Sequence, residues 1–515
     1  MKETNQNAVY IDETIFDGQT EQGVELDYVL PDYCPDIFKI LSCTLSPGIT
    51  SRSVTSDGKL ALDGIVYIKV LYLTENSTDV HCIDQRYTYS KLIDLNCRSA
   101  SENAPIISVS MKSDYCNCRA SSPRRLDVRG AVSCRIKAIQ CTEHRLPDIP
   151  DSLQIRRKEV PCCSKTLFAE KSVIIREDIE TGASGIAFII RSNAVPKVTD
   201  LRIVADKAVL KGTITINALY GVFNPETNGC SETEKMSADI PVSAILDING
   251  ISDCHKTFAD ICVLNMELIA KSDSGLISCE LLIMSRVRAK SDDKAVIAAD
   301  IYSTDYETEF TSENLRISSN PRTISQSITA RSVLECDKGE IRSVWDVSSE
   351  LINPVCRSNS NGELTLSGQL YIHAYGKNGD GMPFSLEKQD AVEQMITAVT
   401  DPTASIDFNA CVTDTGFSIK SDGSLDITSS IAFDASLNDI NSVEAINSVS
   451  INEDKPKEKT DEFALRICYT NSSTDCWSIA KKFNTTVRAI MEENNMDDGS
   501  DCDTPLSGMI IIPTV

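Results

Sequence analysis

The stretch KLALDGIVYIKVLY, residues 59–72, decides the architecture of this 515-residue chain, because it recurs. Residues 207–220 read KAVLKGTITINALY, and residues 363–375 read ELTLSGQLYIHAY. Aligned on Gly64, Gly212 and Gly368, the copies place Leu62, Leu210 and Leu366 before the glycine and Ile68, Ile216 and Ile372 after it, each set in register. Apolar side chains at every second position mark a strand with one face in a core. The other face is partly apolar too, which predicts strands covered on both sides. The internal glycine predicts a bulge or a sharp bend.

The copies lie 148 and 156 residues apart (212 − 64 and 368 − 212). Each is followed by a second strand-rich run: RRLDVRGAVSCRIKAI at 124–139, SGLISCELLIMSRVRA at 274–289 and GSLDITSSIAFDAS at 423–436. Solenoid repeats are far shorter than this period, so it predicts tandem domains. We place them at residues 1–150, 160–295 and 322–447, each a mainly β sandwich or barrel-like unit. Asn378-Gly379 marks a hairpin turn, so the glycine-rich GKNGDG at 376–381 reads as a hairpin and not as a phosphate loop.

Composition changes at residues 448–462, which include NEDKPKEKTDE, a charged stretch with a proline and no apolar residue. It predicts a solvated linker. The remaining segment, 463–515, reads strand, helix, helix, strand. Cys476, Ile479, Ala480 and Phe483 fall on one helical stripe, and Thr486 caps a second helix with Val487, Ile490 and Met491 inward. The fold expected is multidomain and mainly β, ending in a small βααβ domain.

The charge balance of 75 acidic to 50 basic residues, net −25, disfavours nucleic acid and anionic lipid as partners. The first residues lack a charged start followed by an apolar stretch, and no apolar run is long enough to cross a membrane as a helix. The 20 cysteines are scattered through strand-like runs, which predicts reduced thiols in a cytosolic protein. Neither Cys116-Asn117-Cys118 nor Cys162-Cys163 has the spacing of a structural zinc site. The four histidines, His81, His144, His255 and His373, are isolated, and no nucleophile elbow, HExxH helix or P-loop is present. The sequence nominates no catalytic residue, metal site or cofactor, and predicts a non-enzyme.

Trp477-Ser478-Ile479-Ala480, Phe483-Asn484, Val487, Ile490-Met491, Asn494-Asn495 and Ile511-Ile512-Pro513 together resemble the LysM domain. That resemblance implies a core of Trp477, Ile479, Ala480, Ile490 and Ile511. It also implies a binding site in the turn before helix one and the loop before the last strand. LysM domains usually bind N-acetylglucosamine polymers through a first turn reading glycine, aspartate, threonine, leucine. Here the turn is Ser473, Thr474, Asp475 and Cys476, and the loop carries Asp497, Asp498, Asp501 and Asp503. The altered turn and the negative charge of the loop predict a protein partner, engaged by Ser473, Thr474, Asp475, Lys481, Lys482 and Arg488.

The three β units resemble the SPOCS domain, the first through LPDYCPDIFKIL at 30–41. Three such units and one LysM resemble the SipL family of clostridial spore-coat morphogenetic proteins. The resemblance implies an adaptor in the mother-cell cytoplasm, at the forespore surface. It would bind the coat-basement ATPase called stage IV sporulation protein A, and other coat proteins with it. The alternative is a LysM protein that binds peptidoglycan or spore cortex.

Overall fold

The computed structural model describes residues 8–75, 77–95, 104–224, 229–230, 232–271, 274–335, 341–457, 465–496 and 505–513. The chain is mainly β. The first unit holds β1 (Ala8–Val29), β2 (Lys39–Val54), β3 (Lys59–Leu73), β4 (Val80–Asp94), β5 (Ile106–Ser122) and β6 (Arg125–Arg145). After β7 (Gln154–Cys163), the second unit holds β8 (Leu167–Glu180), β9 (Ile186–Val204), β10 (Lys207–Val222), β11 (Thr233–Asp247), β12 (Lys256–Lys271) and β13 (Leu276–Lys290). After β14 (Asp292–Tyr302), the third holds β15 (Tyr306–Leu334), β16 (Ile341–Ser358), β17 (Glu363–Asn378), β18 (Pro383–Val399), β19 (Ser405–Ile419) and β20 (Leu425–Pro456).

Each unit repeats one topology. The recurring strand is the middle of an antiparallel three-stranded sheet: β2-β3-β4, β9-β10-β11 or β16-β17-β18. The second strand-rich run is the middle of another: β1-β6-β5, β12-β13-β8 or β15-β20-β19. The two sheets share a core. In the second unit Leu210 and Ile216 pack with Cys279, Leu281 and Ile283 of the opposite sheet; in the third Leu366 and Ile372 pack with Ile427 and Phe433. All six aligned leucine and isoleucine positions are buried.

The repeated glycine has a steric cause. In every unit the pairing on one side of the middle strand slips beside it: between Ile49 and Ser51 opposite Gly64, between Lys211 and Gly212, and between Ile352 and Val355 flanking Gly368. A Cβ at Gly212 would stand 2.6 Å from the Lys197 carbonyl oxygen, and one at Gly64 would meet the Tyr89 ring. Further along the same strands Leu71, Leu219 and Tyr375 meet in one cluster, so the three units pack together there. Other ties include Lys69 to the Ile189 carbonyl at 2.6 Å and Arg191 to Asp346 at 3.1 Å.

β7 and β14 form a separate two-stranded ribbon, a feature the sequence reading did not anticipate. It buries Val160, Cys162, Ala295 and Ile297 against Val9, Leu315, Ile317 and Ala445. This packing extends the third unit beyond the 322–447 limits read from sequence. Its strands β15 and β20 pair from Leu334↔Leu425 to Tyr306↔Pro456. The stretch 448–462 must be corrected accordingly: as far as Pro456 it is paired strand, and the Lys457 N–H still donates to the Asp305 carbonyl at 2.8 Å. A ladder is built from backbone groups, so a run of charged side chains on an exposed edge does not prevent it. Residues 458–462 lie outside the described residues.

Candidate functional site

The tail consists of β21 (Leu465–Asp475), α1 (Cys476–Lys482), α2 (Val487–Glu493) and β22 (Pro505–Pro513), with β21 and β22 antiparallel. Asp475 caps α1 by accepting from the Ser478 N–H at 2.8 Å, and Thr486 caps α2 by accepting from the Ala489 N–H at 3.1 Å. Asn494 ties α2 to the last strand through two hydrogen bonds with the Ile511 backbone.

Trp477, Ile479, Ala480 and Ile490 are buried in the tail's core. Ile511 is not, and its assignment to the core is corrected: it is half-buried, while Ile510 and Ile512 take the inward positions. Strand alternation allows only one of two neighbours to face the helices.

The tail is docked. Tyr302, the last residue of β14, belongs to the tail's core and stacks edge-on against Trp477 at 5.0 Å between ring centroids. Its hydroxyl donates to the Thr485 carbonyl at 2.7 Å. The Trp477 indole N–H donates to Asp300 at 2.8 Å, and Lys481 reaches the same carboxylate at 2.6 and 2.8 Å. Arg156 on β7 pairs with Asp475 at 2.9 Å, and Lys457 donates to the Asn484 side chain at 2.9 Å.

These contacts sort the proposed binding residues. Asp475 and Lys481 are engaged with the β7–β14 ribbon, whereas Lys482 and Arg488 are exposed. Lys482 lies 5.4 Å from the Phe483 ring and Arg488 donates to Glu492 at 2.7 Å. Thr474 is half-buried in the β21–β22 ladder. Ser473 is in β21, and its side chain lies outside the described residues, as do Asp497, Asp498, Asp501 and Asp503. Desolvation opposes the Asp475 charge, but the Ser478 hydrogen bonds and the Arg156 charge outweigh it and hold this carboxyl below the ordinary range.

Arg156, Asp300 and Tyr302 escaped the sequence reading. The alternating KAVIAADIY at 294–302 carries a strand signal, but nothing in it points to a contact about 180 residues away.

His81 packs 5.4 Å from Tyr72, and His373 packs 4.3 Å from Tyr375 with its Nε2 2.7 Å from the Ser385 hydroxyl. Both are buried between strands, in the packing positions of structural histidines. Among the described residues, no helix is long and apolar enough to cross a membrane.

Fold and site define a multidomain, mainly β protein with a small docked βααβ module. Residues 36–120 and 186–269 each match the family described as SipL, SPOCS domain, and residues 475–511 match the LysM domain. The chain is SipL-like: SPOCS regions in tandem, then a LysM domain. Both matched families are non-catalytic binding domains. No curated protein and no solved structure matches it.

Proposed function

We propose that this chain is a non-enzymatic adaptor of spore-coat assembly whose LysM module binds a protein, the coat-basement ATPase named stage IV sporulation protein A. It works in the mother-cell cytoplasm at the forespore surface, where other coat proteins are further partners. The third unit, with the strand order of the two matched ones, is read as a third SPOCS copy. Tethered modules raise the effective concentration of their partners at a crowded surface, which suits an assembly factor.

One observation carries the preference for protein over glycan: the first LysM turn is already engaged within the chain. Asp475 caps α1 and pairs with Arg156, and Trp477 is 4% exposed, so it offers no face for a sugar to stack on. The exposed Lys482 and Arg488, the latter already paired with Glu492, would meet an acidic surface.

The full chain should therefore be retained by immobilised ATPase and not by insoluble peptidoglycan. Charge reversal at Lys482 and Arg488 should weaken binding by about 1–3 kcal/mol if these charges are desolvated at the interface, and by less on its rim. Retention on peptidoglycan with no retention on the ATPase would reject this reading and install the cortex-binding one.

A further inference from the structure

Where the three sandwich units meet, a cavity of about 90 Å³ is lined by residues of all three. Four cations face it: Lys137 on β6, Lys256 on β12, and Arg288 and Lys290 on β13. Two carboxylates accompany them, Asp12 and Asp407, and both are already engaged. Asp12 pairs with Lys290 at 2.7 Å and accepts from the Thr166 hydroxyl at 2.9 Å; Asp407 pairs with Arg288. Lys137 and Lys256 have no ion-pair partner among the described residues. In a chain of net charge −25, this is a local surplus of positive charge inside a concavity.

The opposite wall supplies neutral donors. Ser318 and Asn438 are 7% and 8% exposed. The Ser318 hydroxyl makes no side-chain hydrogen bond among the described residues. Asn438 uses only its Oδ1, as a weak acceptor from Cys163 at 4.0 Å, and its amide nitrogen donates to no described residue. Cations, a hydroxyl and an amide N–H converging on one small space all call for acceptor oxygens.

We propose that this junction is a binding site for a small multiply charged oxyanion of the phosphate or polycarboxylate class. The bound anion joins Lys137 of the first unit, Lys256 of the second and the donors of the third, so occupancy locks the units together. The volume suits a single such ion, since it is several times what one water requires.

The test is calorimetric titration of the full chain with inorganic phosphate and, separately, citrate, at ionic strength held constant with potassium chloride. We expect saturable binding of at least one of them with a rise in Tm, and the better ligand separates the phosphate from the carboxylate class. The double variant Lys137→Gln/Lys256→Gln should bind at least about tenfold more weakly, two charge-assisted contacts being lost. Lys137→Arg/Lys256→Arg should keep most of the affinity. Should the glutamine variant misfold by circular dichroism, Asn438→Asp, which places a carboxylate in the cavity, should abolish binding in its place. Binding no tighter than that of chloride, or binding unchanged in whichever of these variants folds, would overturn the proposal.

Discussion

The indole N–H of Trp477 donates to Asp300 at 2.8 Å, a contact between the first helix of the LysM module and the strand that joins the second and third sandwiches. Asp300 also takes both hydrogen bonds of Lys481, so one carboxylate fixes two consecutive turns of α1. The chain thus carries its LysM module at a set orientation, with one face of the module engaged and Lys482 and Arg488 exposed.

Asp300→Ala leaves the indole N–H and the Lys481 ammonium without their acceptor. The module should lose about 1–3 kcal/mol of docking free energy while the sandwich cores stay intact. Hydrogen exchange followed by mass spectrometry should show faster exchange in α1 and unchanged protection in β10 and β17. Equal protection of α1 in both proteins would mean that docking rests on the Tyr302, Arg156 and Lys457 contacts.

Trp477→Ala removes a side chain that fills the module's core and braces Tyr302. A large aromatic truncation costs about 3–5 kcal/mol, which a domain of this size does not survive. Lys481→Ala should be far milder, because it touches the docking contact alone. Comparing the variants by loss of α1 and α2 protection separates folding from docking. A folded Trp477→Ala module would contradict the packing role assigned to the indole.

Most of the fold was legible because strand periodicity survives divergence. Leu62, Leu210 and Leu366 share a register that only a common β environment explains, and the glycines between them foretold the slipped pairing. The ribbon β7–β14 was not legible in the same way. Residues 154–163 and 292–302 pair across 128 intervening residues (164–291), and no local pattern specifies such a partner. The Asp300–Trp477 contact depends on that ribbon, so it was hidden too. The charged stretch around Asn452 misled for a different reason: side chains that bury nothing say little about whether their backbone is paired.

The repeated glycines should differ in tolerance. At Gly212 a Cβ would meet the Lys197 carbonyl at 2.6 Å, a backbone atom that cannot step aside, whereas at Gly368 the nearest atom is the Leu351 Cδ1 at 3.0 Å. Gly212→Ala should destabilise the second unit by about 1–3 kcal/mol, the usual cost of overpacking, and Gly368→Ala by less. Thermal unfolding of the two variants tests the order. Equal shifts would show that the second unit relaxes around the added methyl.

Acid should act in two stages. Burial, helped by the Arg191 charge, pushes His373 down to about 3 from its usual 6.5, so the unfolded chain takes up that proton first as pH falls. The histidine's contribution to stability is complete above pH 6.5 and is lost between there and about 3. Asp475, held low, keeps its cap and its Arg156 pair until pH falls below 3.8. Denaturant midpoints across this range should fall first for the third unit, and His373→Gln should flatten that early slope. An early slope unchanged in His373→Gln would assign it to other groups.

Thiol reactivity should follow burial with one exception. Desolvation pushes Cys82, Cys163, Cys230 and Cys262 up to about 12, so they stay protonated and inert at neutral pH. Cys254 is exposed and should alkylate first in the folded chain. The exception is Cys43 on β2 and Cys116 on β5, whose sulfurs sit 3.0 Å apart across the two sheets of the first unit. A hydrogen bond from Cys43 also lowers the pKa of neighbouring Cys118. Freshly prepared protein, denatured under exclusion of air, should titrate close to its full 20 thiols with Ellman's reagent. After brief exposure to diamide, which accepts two electrons and two protons as a pair of thiols becomes a disulfide, peptide mapping should find Cys43 in the first bridge. A first bridge that leaves Cys43 out would mean the two sheets do not hold these sulfurs together in solution.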